Sequence, residues 1–357
     1  ADPRPALIAM PMAALADHLA AGGFPAFRAK QVWHWLQVKC VRSLDEMINV
    51  SKEVRAYLAE STRMGGIARI VAERSSADGS TKFLAEFADG RRVESVLMPG
   101  VGTDASRMTL CLSSQVGCAV DCQFCVTGRN GFFRQMSVDE ILDQVRWSRW
   151  WLAQKNDGRL LRNIVFMGMG EPLLNTAAVI PALRLITDAT GLDFSPKRVT
   201  VSTSGILPGL RDLYAADLDV SLAVSLNAPT QELRAEIMPI SKRWPLEDLL
   251  EFCRALPHGR RRITFEYVLL AGLNDSPAHA RQVVRCLHGI PSKVNVIPFN
   301  PDASLPWQRP ENETVEAFCD VLRGAHLTTS VRWSKALDVN GACGQLAGQF
   351  RQRVPKK

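Results

Sequence analysis

The sequence contains no apolar run that approaches the roughly 20 residues of a membrane-spanning helix. Its first residues lack the basic start, apolar core and small-residue cleavage site of a signal peptide. It also lacks short-period repeats and low-complexity tracts. These absences argue against an integral membrane protein and against a secreted one, so we expect a cytoplasmic protein with no membrane partner.

The composition has no strong bias toward disorder. Of the 357 residues, 46% are hydrophobic and 22% are charged, which is typical of a globular protein with one large domain and a smaller one. Lys and Arg outnumber Asp and Glu by 43 to 36, giving a formal charge of +7. That surplus suits a polyanionic partner such as RNA, and it is equally typical of a merely basic surface.

The nine cysteines are odd in number, and their spacing is not that of a disulfide-stapled domain. In a chain of this length, such cysteines indicate metal binding or redox chemistry in a reducing compartment. Four of them are interpreted as ordinary buried thiols, a common fate for cysteine: Cys40, Cys253, Cys286 and Cys319.

The order of predicted elements divides the chain into regions. Residues 1–62 carry apolar residues at helical spacing, and Ser51 is placed to cap a helix. Asp78-Gly79 and Asp89-Gly90 are hairpin signals within a β-meander over residues 63–103. Strands and helices then alternate over residues 104–335, which predicts an α/β fold whose active-site loops follow the strands. The predicted strands are 67–75, 82–87, 92–97, 109–112, 164–167, 198–202, 220–226, 263–269, 294–298 and 329–333.

Three cysteines, Cys118, Cys122 and Cys125, follow the first strand of the alternating region on one short loop. Three thiolates can each hold one iron of a cubane cluster, leaving the fourth iron open to a small molecule. A zinc knuckle would need a fourth Cys or His nearby, and the sequence supplies none through Arg134. A ferredoxin brings four thiolates per cluster. The pattern therefore predicts a catalytic iron–sulfur cluster.

Polar residues stand where several predicted strands end, which in a barrel indicates ligand contacts. Strand 164–167 runs into Gly-Met-Gly-Glu-Pro at 168–172, a segment that taken alone would be a simple turn before a helix. Other polar residues follow the later strands. The predicted cofactor contacts are Gly170, Glu171, Ser202, Ser225, Asn227 and Asn300.

The Cys-x3-Cys-x2-Cys triplet and Gly170-Glu171-Pro172 resemble the signature motifs of radical-SAM enzymes. The resemblance implies a partial (β/α)6-type TIM barrel with a 4Fe-4S cluster on the three cysteines. It implies that the open iron chelates S-adenosylmethionine, whose ammonium group meets Glu171. Electron transfer, from a donor such as flavodoxin or ferredoxin, then cleaves a carbon–sulfur bond to give a 5′-deoxyadenosyl radical.

A closer resemblance adds the rest of the chain. Residues 109–118, 131–134 and 342–348, together with the helix start at 25–32, resemble the RlmN/Cfr family of RNA methyltransferases. The resemblance implies an N-terminal helical RNA-binding domain at 1–62, a β-meander linker at 63–103, a barrel at 104–335 and a catalytic-cysteine loop with a basic tail at 336–357. It implies rRNA and/or tRNA as the partner, and we expect a monomer.

The family resemblance implies methyl transfer to an adenine carbon, with C2 expected over C8, using two S-adenosylmethionine molecules per turnover. Cys343 takes a methyl group from the first, and the radical made from the second removes a hydrogen from it. The carbon radical adds to the adenine, Glu94 removes the ring proton, and Cys111 attacks Cys343 to release the base and form a disulfide. Thiols suit these steps chemically. The alternatives to these catalytic roles are that Glu94 is an ordinary solvent-facing carboxylate and that Cys111 and Cys343 are inert buried thiols.

Two segments depart from the family pattern. Ser225-Leu226-Asn227 stands where Ser-Leu-His is usual, and Leu337 and Asn340 replace two acids before Cys343, while Lys335 and Asp338 keep their charge sign. One alternative is therefore the same chemistry on a different RNA or on a non-RNA substrate. A second is a non-catalytic iron–sulfur RNA-binding protein. Basic residues at 242–243, 260–262 and 351–357 are candidate phosphate contacts.

Overall fold

The structure, a computed structural model, describes residues 2–100, 106–257 and 262–346. The basic tail 351–357 lies outside these residues, as does most of the arginine run 260–262. Within the described ranges, no helix has both the length and the apolar character to cross a membrane.

The N-terminal region is helical, as the apolar spacing predicts. Helices α1 (Met12–Ala21), α2 (Phe27–Trp33) and α3 (Lys52–Ser61) form it. Ser51 caps α3 by accepting from the Val54 amide at 3.5 Å. Arg146, from a helix of the barrel, is fully buried and donates to the carbonyl oxygen of Val41 at 2.7 Å. One hydrophobic core therefore continues from the N-terminal helices into the α/β region.

In the part of the chain that the structure describes, ten strands form one mixed sheet in the order β1-β2-β3-β4-β7-β8-β9-β10-β11-β12. Strands β1 to β4 are paired antiparallel, and β4 onward are parallel. The strands of the predicted meander continue into the barrel sheet, because Val96 of β3 pairs with Cys111 of β4. The sheet's first four strands are β1 (Arg69–Ser75), β2 (Thr81–Glu86), β3 (Arg92–Pro99) and β4 (Arg107–Cys111).

A second sheet of two short strands, β5 (Gln115–Gly117) and β6 (Phe132–Gln135), encloses the cysteine triplet. The sequence pattern did not predict it, since strands of three and four residues show no measurable alternation. The parallel strands differ in burial: β10 is nearly buried on both faces because helices cover it, whereas β12 at the edge of the sheet is partly exposed. They are β7 (Leu160–Phe166), β8 (Val199–Thr203), β9 (Ser221–Ser225), β10 (Ile263–Leu269), β11 (Ser292–Pro298) and β12 (Thr328–Val331).

Two helices of the α/β region begin at side-chain caps. Glu140 accepts from the Ser137 amide at 3.0 Å, and Ser276 accepts from the His279 amide at 3.3 Å. The helices of this region are α4 (Val126–Arg129), α5 (Val138–Lys155), α6 (Thr176–Ile186), α7 (Leu207–Ala215), α8 (Gln231–Ile237), α9 (Leu246–Ala255), α10 (Pro277–Cys286) and α11 (Asn312–Gly324). They return the chain so that every parallel strand ends at the same edge of the sheet, where the cysteine triplet lies.

Candidate active site

The cluster loop, residues 117–125, begins at a glycine, and there is no room for a side chain at this position. Gly117 has a φ of +81°, and a Cβ there would lie 2.0 Å from the carbonyl oxygen of Gly131. The Cys118 amide donates to the same oxygen at 3.0 Å. The pairing of β5 with β6 therefore determines where the first cysteine leaves the strand.

Local turns place the other two cysteines of the cluster loop. Asp121 adopts a left-handed conformation with φ 56°, and the Cys125 amide donates to the Cys122 carbonyl oxygen at 3.1 Å. Cys125 is also the residue at which α4 begins. The three thiols line one cavity at the carboxyl edge of the strands.

The donors in this cavity fit an iron–sulfur cluster with an open iron. Among the described residues, no three His, Cys, Asp or Glu side chains converge on a position for one metal ion. A cubane differs, since each thiolate binds its own iron. Burial raises the pKa of all three thiols, to about 12 for Cys118, so a cluster would have to displace their protons.

The Gly170-Glu171 turn forms one wall of the cavity. Gly170 has a φ of +97°, and a Cβ there would lie 2.4 Å from the Cβ of Gln115. The Glu171 carboxylate accepts from the Ser204 amide at 2.7 Å and from the Leu173 amide at 3.0 Å. Burial raises the pKa of Glu171, although these hydrogen bonds oppose the shift. Its carboxylate thus faces the cavity already held in place by protein donors.

Ser202 and Ser225 line the cavity at the ends of β8 and β9. The Ser202 hydroxyl donates to Oε2 of Glu266 at 2.8 Å, across the sheet on β10. The other carboxylate oxygen of Glu266, Oε1, is buried and makes no hydrogen bond among the described residues, although Nη1 of Arg332 lies 3.5 Å from it. Since buried polar atoms are nearly always hydrogen-bonded, this oxygen can accept a hydrogen bond from a ligand.

The two asparagines of the predicted site behave differently. Asn227 has both amide atoms engaged: its Oδ1 accepts from the Val268 amide at 2.9 Å, and its Nδ2 contacts Met238 Sδ at 3.2 Å. Asn300 donates through Nδ2 to the Cys343 carbonyl oxygen at 2.9 Å, while its buried Oδ1 has no partner in the described part of the chain. Asn227 therefore holds the cavity wall together, and Asn300 presents a vacant acceptor.

Two residues of the site were missed from the sequence. Glu266 could have been found as an acid within the otherwise apolar strand pattern of 263–269. Arg234 on α8 gave no comparable signal. It is buried and donates to the carbonyl oxygens of Ser204 at 2.6 Å and Leu226 at 3.1 Å, and burial lowers its pKa to about 10. It joins the strand ends that bear the predicted cofactor contacts.

Cys343 lines the cluster cavity and also a second cavity behind it. Cys111, at the end of β4, lines only the second cavity, and both thiols are free. Cys343 is exposed in these openings, whereas Cys111 is buried. The structure therefore brings both predicted catalytic cysteines to one cavity and places Cys343 between it and the cluster loop.

Arg332 supplies positive charge beside the two thiols. It lines the second cavity, and its Nη1 lies 3.5 Å from Oε1 of Glu266. Desolvation raises the pKa of both Cys111 and Cys343, and the charge of Arg332 opposes both shifts. A thiolate at either cysteine would thus have a cation next to it, which favours nucleophilic attack.

Glu94 is not a solvent-facing carboxylate. It is buried on β3, where its Oε1 is 2.9 Å from Nζ of Lys82, itself only 5% exposed. It lines a third cavity with Arg92 and Phe133, rather than either cavity that contains Cys343.

Comparisons with known proteins agree on the family. The radical SAM superfamily profile matches residues 112–282, and the N-terminal domain profile of ribosomal RNA large subunit methyltransferases matches residues 6–64. The crystal structure of a radical SAM methyltransferase from Sphaerobacter thermophilus is 39% identical, with a TM-score of 0.91 over 97% of this chain and 100% of that one. The predicted α/β radical-SAM fold is confirmed.

Curated relatives match along nearly the full length. The dual-specificity RNA methyltransferase RlmN of Nitratidesulfovibrio vulgaris strain Miyazaki F is 49% identical over 94% of each chain. That of Anaeromyxobacter sp. strain Fw109-5 is 45% identical over 100% of this chain and 94% of its own. The chain therefore belongs to the RlmN family of radical SAM RNA methyltransferases.

Proposed function

We propose that this chain methylates an adenine carbon, C2, in RNA through a methylated cysteine. The observation that carries the proposal is the position of Cys343, which lines both the cluster cavity and the cavity of Cys111. A residue that accepts a methyl group at one site and delivers it at the other has to reach both. Its relatives are named dual-specificity enzymes, so we propose both rRNA and tRNA as substrates.

In this proposal the cluster cavity binds the cofactors of the radical SAM family, a 4Fe-4S cluster and S-adenosylmethionine, which together supply a 5′-deoxyadenosyl radical. Cys118, Cys122 and Cys125 hold the cluster. The vacant acceptors on Glu266 and Asn300 receive donors of the bound S-adenosylmethionine. Other contacts come from Gly170, Glu171, Ser202, Ser225 and the segment at Asn227.

The second cavity receives the adenine. Trp333 at its rim is 48% exposed, and Arg309 lies over its ring at 5.3 Å from the centroid. An exposed aromatic ring with a cation beside it suits stacking of an unpaired base, and the target base has to leave its stack to enter. Arg332 and Lys335 at the same cavity suit the adjoining phosphates.

The thiols carry the covalent steps. Cys343 loses a proton and becomes a thioether on accepting a methyl group from one S-adenosylmethionine. The 5′-deoxyadenosyl radical would take one hydrogen atom from that S-methyl group, and the methylene radical left on Cys343 would add to the adenine carbon. The adduct would return one electron to the oxidised cluster, and Glu94, which Lys82 links to the Cys343 loop, takes the ring proton. Cys111, as thiolate, then attacks the Cys343 sulfur, so the carbon–sulfur bond breaks as the disulfide forms and the released methylene carbon takes up a proton to become the methyl group. A thiol reductant restores both cysteines. Lys82 balances the charge of Glu94 before the proton arrives.

The test uses protein with an anaerobically reconstituted cluster, reductant, methyl-deuterated S-adenosylmethionine and total RNA from a strain that lacks this gene. Mass spectrometry of the digested RNA is expected to show methyladenosine that keeps two deuteriums, and the Cys343 peptide is expected to carry a methyl group. Release of 5′-deoxyadenosine with an unmodified Cys343 would refute the mechanism. A methylated Cys343 without modified RNA would refute the RNA substrate alone.

The electron donor is proposed to be a reduced flavodoxin or ferredoxin. Replacing the chemical reductant with each reduced protein, and measuring 5′-deoxyadenosine, tests this part separately. No turnover with either protein, while the chemical reductant still works, would contradict it.

A further inference from the structure

The segment that carries Cys343, residues 335–346 and here called the thiol loop, contributes Ala336 and Val339 to the hydrophobic core and exposes three other residues of its first half. Leu337 is 42% exposed, and Asp338 and Asn340 are also exposed. Ala336 and Asn340 both adopt left-handed backbone, with φ of 57° and 51°. A segment with this backbone conformation, and with two buried side chains in its first half, depends on hydrogen bonds to the rest of the molecule to hold one position.

The turn between β1 and β2, residues 76–80, supplies a reciprocal pair of these bonds. The Ala336 amide donates to Oδ2 of Asp78 at 2.7 Å, and the Ala77 amide donates to Oδ2 of Asp338 at 3.0 Å. The β1–β2 turn and the thiol loop each supply one carboxylate and one backbone amide. The two segments are therefore hydrogen-bonded to each other in one relative position.

Lys82, on β2 immediately after this turn, adds a buried connection. Its ammonium group is 2.9 Å from Oε1 of Glu94 and donates to the Asn340 carbonyl oxygen at 3.1 Å. The proposed base and the loop of the proposed methyl carrier are therefore joined through one side chain.

The second half of the thiol loop is held by the opposite side of the site. The Val126 amide donates to the Gly344 carbonyl oxygen at 2.7 Å, and the Thr127 hydroxyl donates to that of Leu346 at 2.8 Å. Both donors follow Cys125 directly. The loop that carries Cys343 is thus hydrogen-bonded to the β1–β2 turn on one side and to the residues that follow the cluster loop on the other.

The replacement of two acids by Leu337 and Asn340 leaves this attachment intact. Asp338, which keeps its charge, accepts from the turn, and Lys335, which also keeps its charge, donates to the Pro99 carbonyl oxygen. Leu337 lies exposed, and Asn340 is attached through its backbone carbonyl. The lost acids were therefore not needed to anchor the loop in this chain.

We infer that Lys82 is a positioning residue that sets Cys343 relative to Glu94, with the Asp78–Ala336 and Asp338–Ala77 bonds fixing the same loop. The inference rests on the proposed roles of Cys343 and Glu94. Without these bonds the thiol loop keeps its attachment at Val126 and Thr127 but loses its attachment to the β1–β2 turn and Lys82. Cys343 then no longer keeps one position relative to Glu94.

The experiment compares Lys82→Met, Lys82→Arg and Asp338→Ala with the exposed-loop control Leu337→Ala, each in the full chain with its cluster. Hydrogen–deuterium exchange is expected to rise in peptides covering 335–346 for Lys82→Met and Asp338→Ala only. Methylation of Cys343 is expected to fall about tenfold, since misplacement of about an ångström costs that much or more. Iron content and S-adenosylmethionine affinity are expected to match the wild type, and Lys82→Arg is expected to restore most of the loss.

Unchanged exchange over 335–346 in both Lys82→Met and Asp338→Ala would overturn the inference. So would a rise in exchange spread evenly over the barrel, because that pattern reports general destabilisation. Asp338→Ala removes only an exposed side chain, so it remains informative if the buried Lys82→Met variant does not fold. Failure of the wild-type protein to methylate Cys343 would refute the proposed function, while the exchange data would still decide the positioning.

Discussion

The cluster loop and the thiol loop bring cysteines to the same cavity in different ways. The cluster loop places three thiols within residues 118–125, with bonds such as that from the Cys125 amide to Cys122. The thiol loop places one thiol with bonds that reach across the chain, including one between residues 261 positions apart. A cluster needs ligands at constant spacing, which a short loop provides. A methyl carrier has to face two cavities, and only a loop held from two sides does so.

The largest expected effect is the loss of a cluster ligand. Cys122→Ser is expected to abolish cluster assembly and all activity, because a hydroxyl does not replace a thiolate for iron. Iron and sulfide content and the visible absorption spectrum measure it, with Cys286→Ser as the matched control, since that half-buried thiol contacts the Pro229 carbonyl oxygen instead. Wild-type iron content in Cys122→Ser would break the assignment of the cluster loop.

Removing the thiols of the second cavity is expected to stop the reaction at different steps while the cluster remains. Cys343→Ala is expected to bind S-adenosylmethionine normally and to give no methylated RNA. Cys111→Ala is expected to accumulate RNA bonded to Cys343, because no thiol attacks to release the base. Denaturing gels of labelled RNA detect the adduct. Normal turnover in Cys111→Ala would show that another group resolves it.

A smaller effect is expected at the wall of the cluster cavity. Glu266→Gln keeps the size of the side chain but places an amide where the vacant carboxylate oxygen now lies beside the cavity. We expect about a tenfold loss of S-adenosylmethionine affinity by calorimetry, equivalent to about 1.4 kcal/mol for one charge-assisted hydrogen bond. Thr264→Ser, on the same strand, is the control. An unaltered affinity of Glu266→Gln for S-adenosylmethionine would show that Glu266 does not contribute to binding.

The smallest effect concerns the pH dependence of the anchor at Asp78. Burial raises the pKa of Asp78, but hydrogen bonds from the Ala336 and Ser80 amides prevail and leave it below its ordinary value of 3.8. A carboxylate with a depressed pKa in the folded state stabilises the fold above its unfolded pKa, and that stability is lost as the pH falls through the folded value. The melting temperature of wild type should therefore exceed that of Asp78→Asn by a constant amount from pH 7 to about pH 5, with the difference shrinking at lower pH. A difference that persists at pH 2 would contradict this origin.

Much of the fold was predictable because long, strongly patterned elements dominate it. The strands expected at 164–167, 263–269 and 294–298 all lie within or on the observed β7, β10 and β11 with small shifts at their ends. Periodicity was uninformative for β5 and β6, which exist because Gly117 and Phe132 pair across the cluster loop. The meander was expected as a linker because hairpin signals report local turns. They carry no information on the pairing of β3 with β4.

The residues of the candidate site likewise fall into those that a local sequence pattern predicts and those that depend on the tertiary structure. The three cluster cysteines and Gly170-Glu171 are recognisable because their spacing is local, and a tight loop constrains it. Arg234 was not recognisable, because its role depends on hydrogen bonds to carbonyl groups at the ends of other strands. Glu94 was expected to be an isolated strand carboxylate unless it matched the family, and its burial beside Lys82 depends on how β2 pairs with β3.

The sequence by itself determined the alternation of strands and helices, the cluster loop and the presence of two further reactive thiols, because those features depend on neighbouring residues and on side-chain chemistry. Only the tertiary structure decided that Cys343 faces two cavities, that Cys111 shares one of them and that Lys82 joins Glu94 to the thiol loop. These arrangements join residues far apart in the chain. Their geometry follows from the packing of the whole sheet, which no local pattern records.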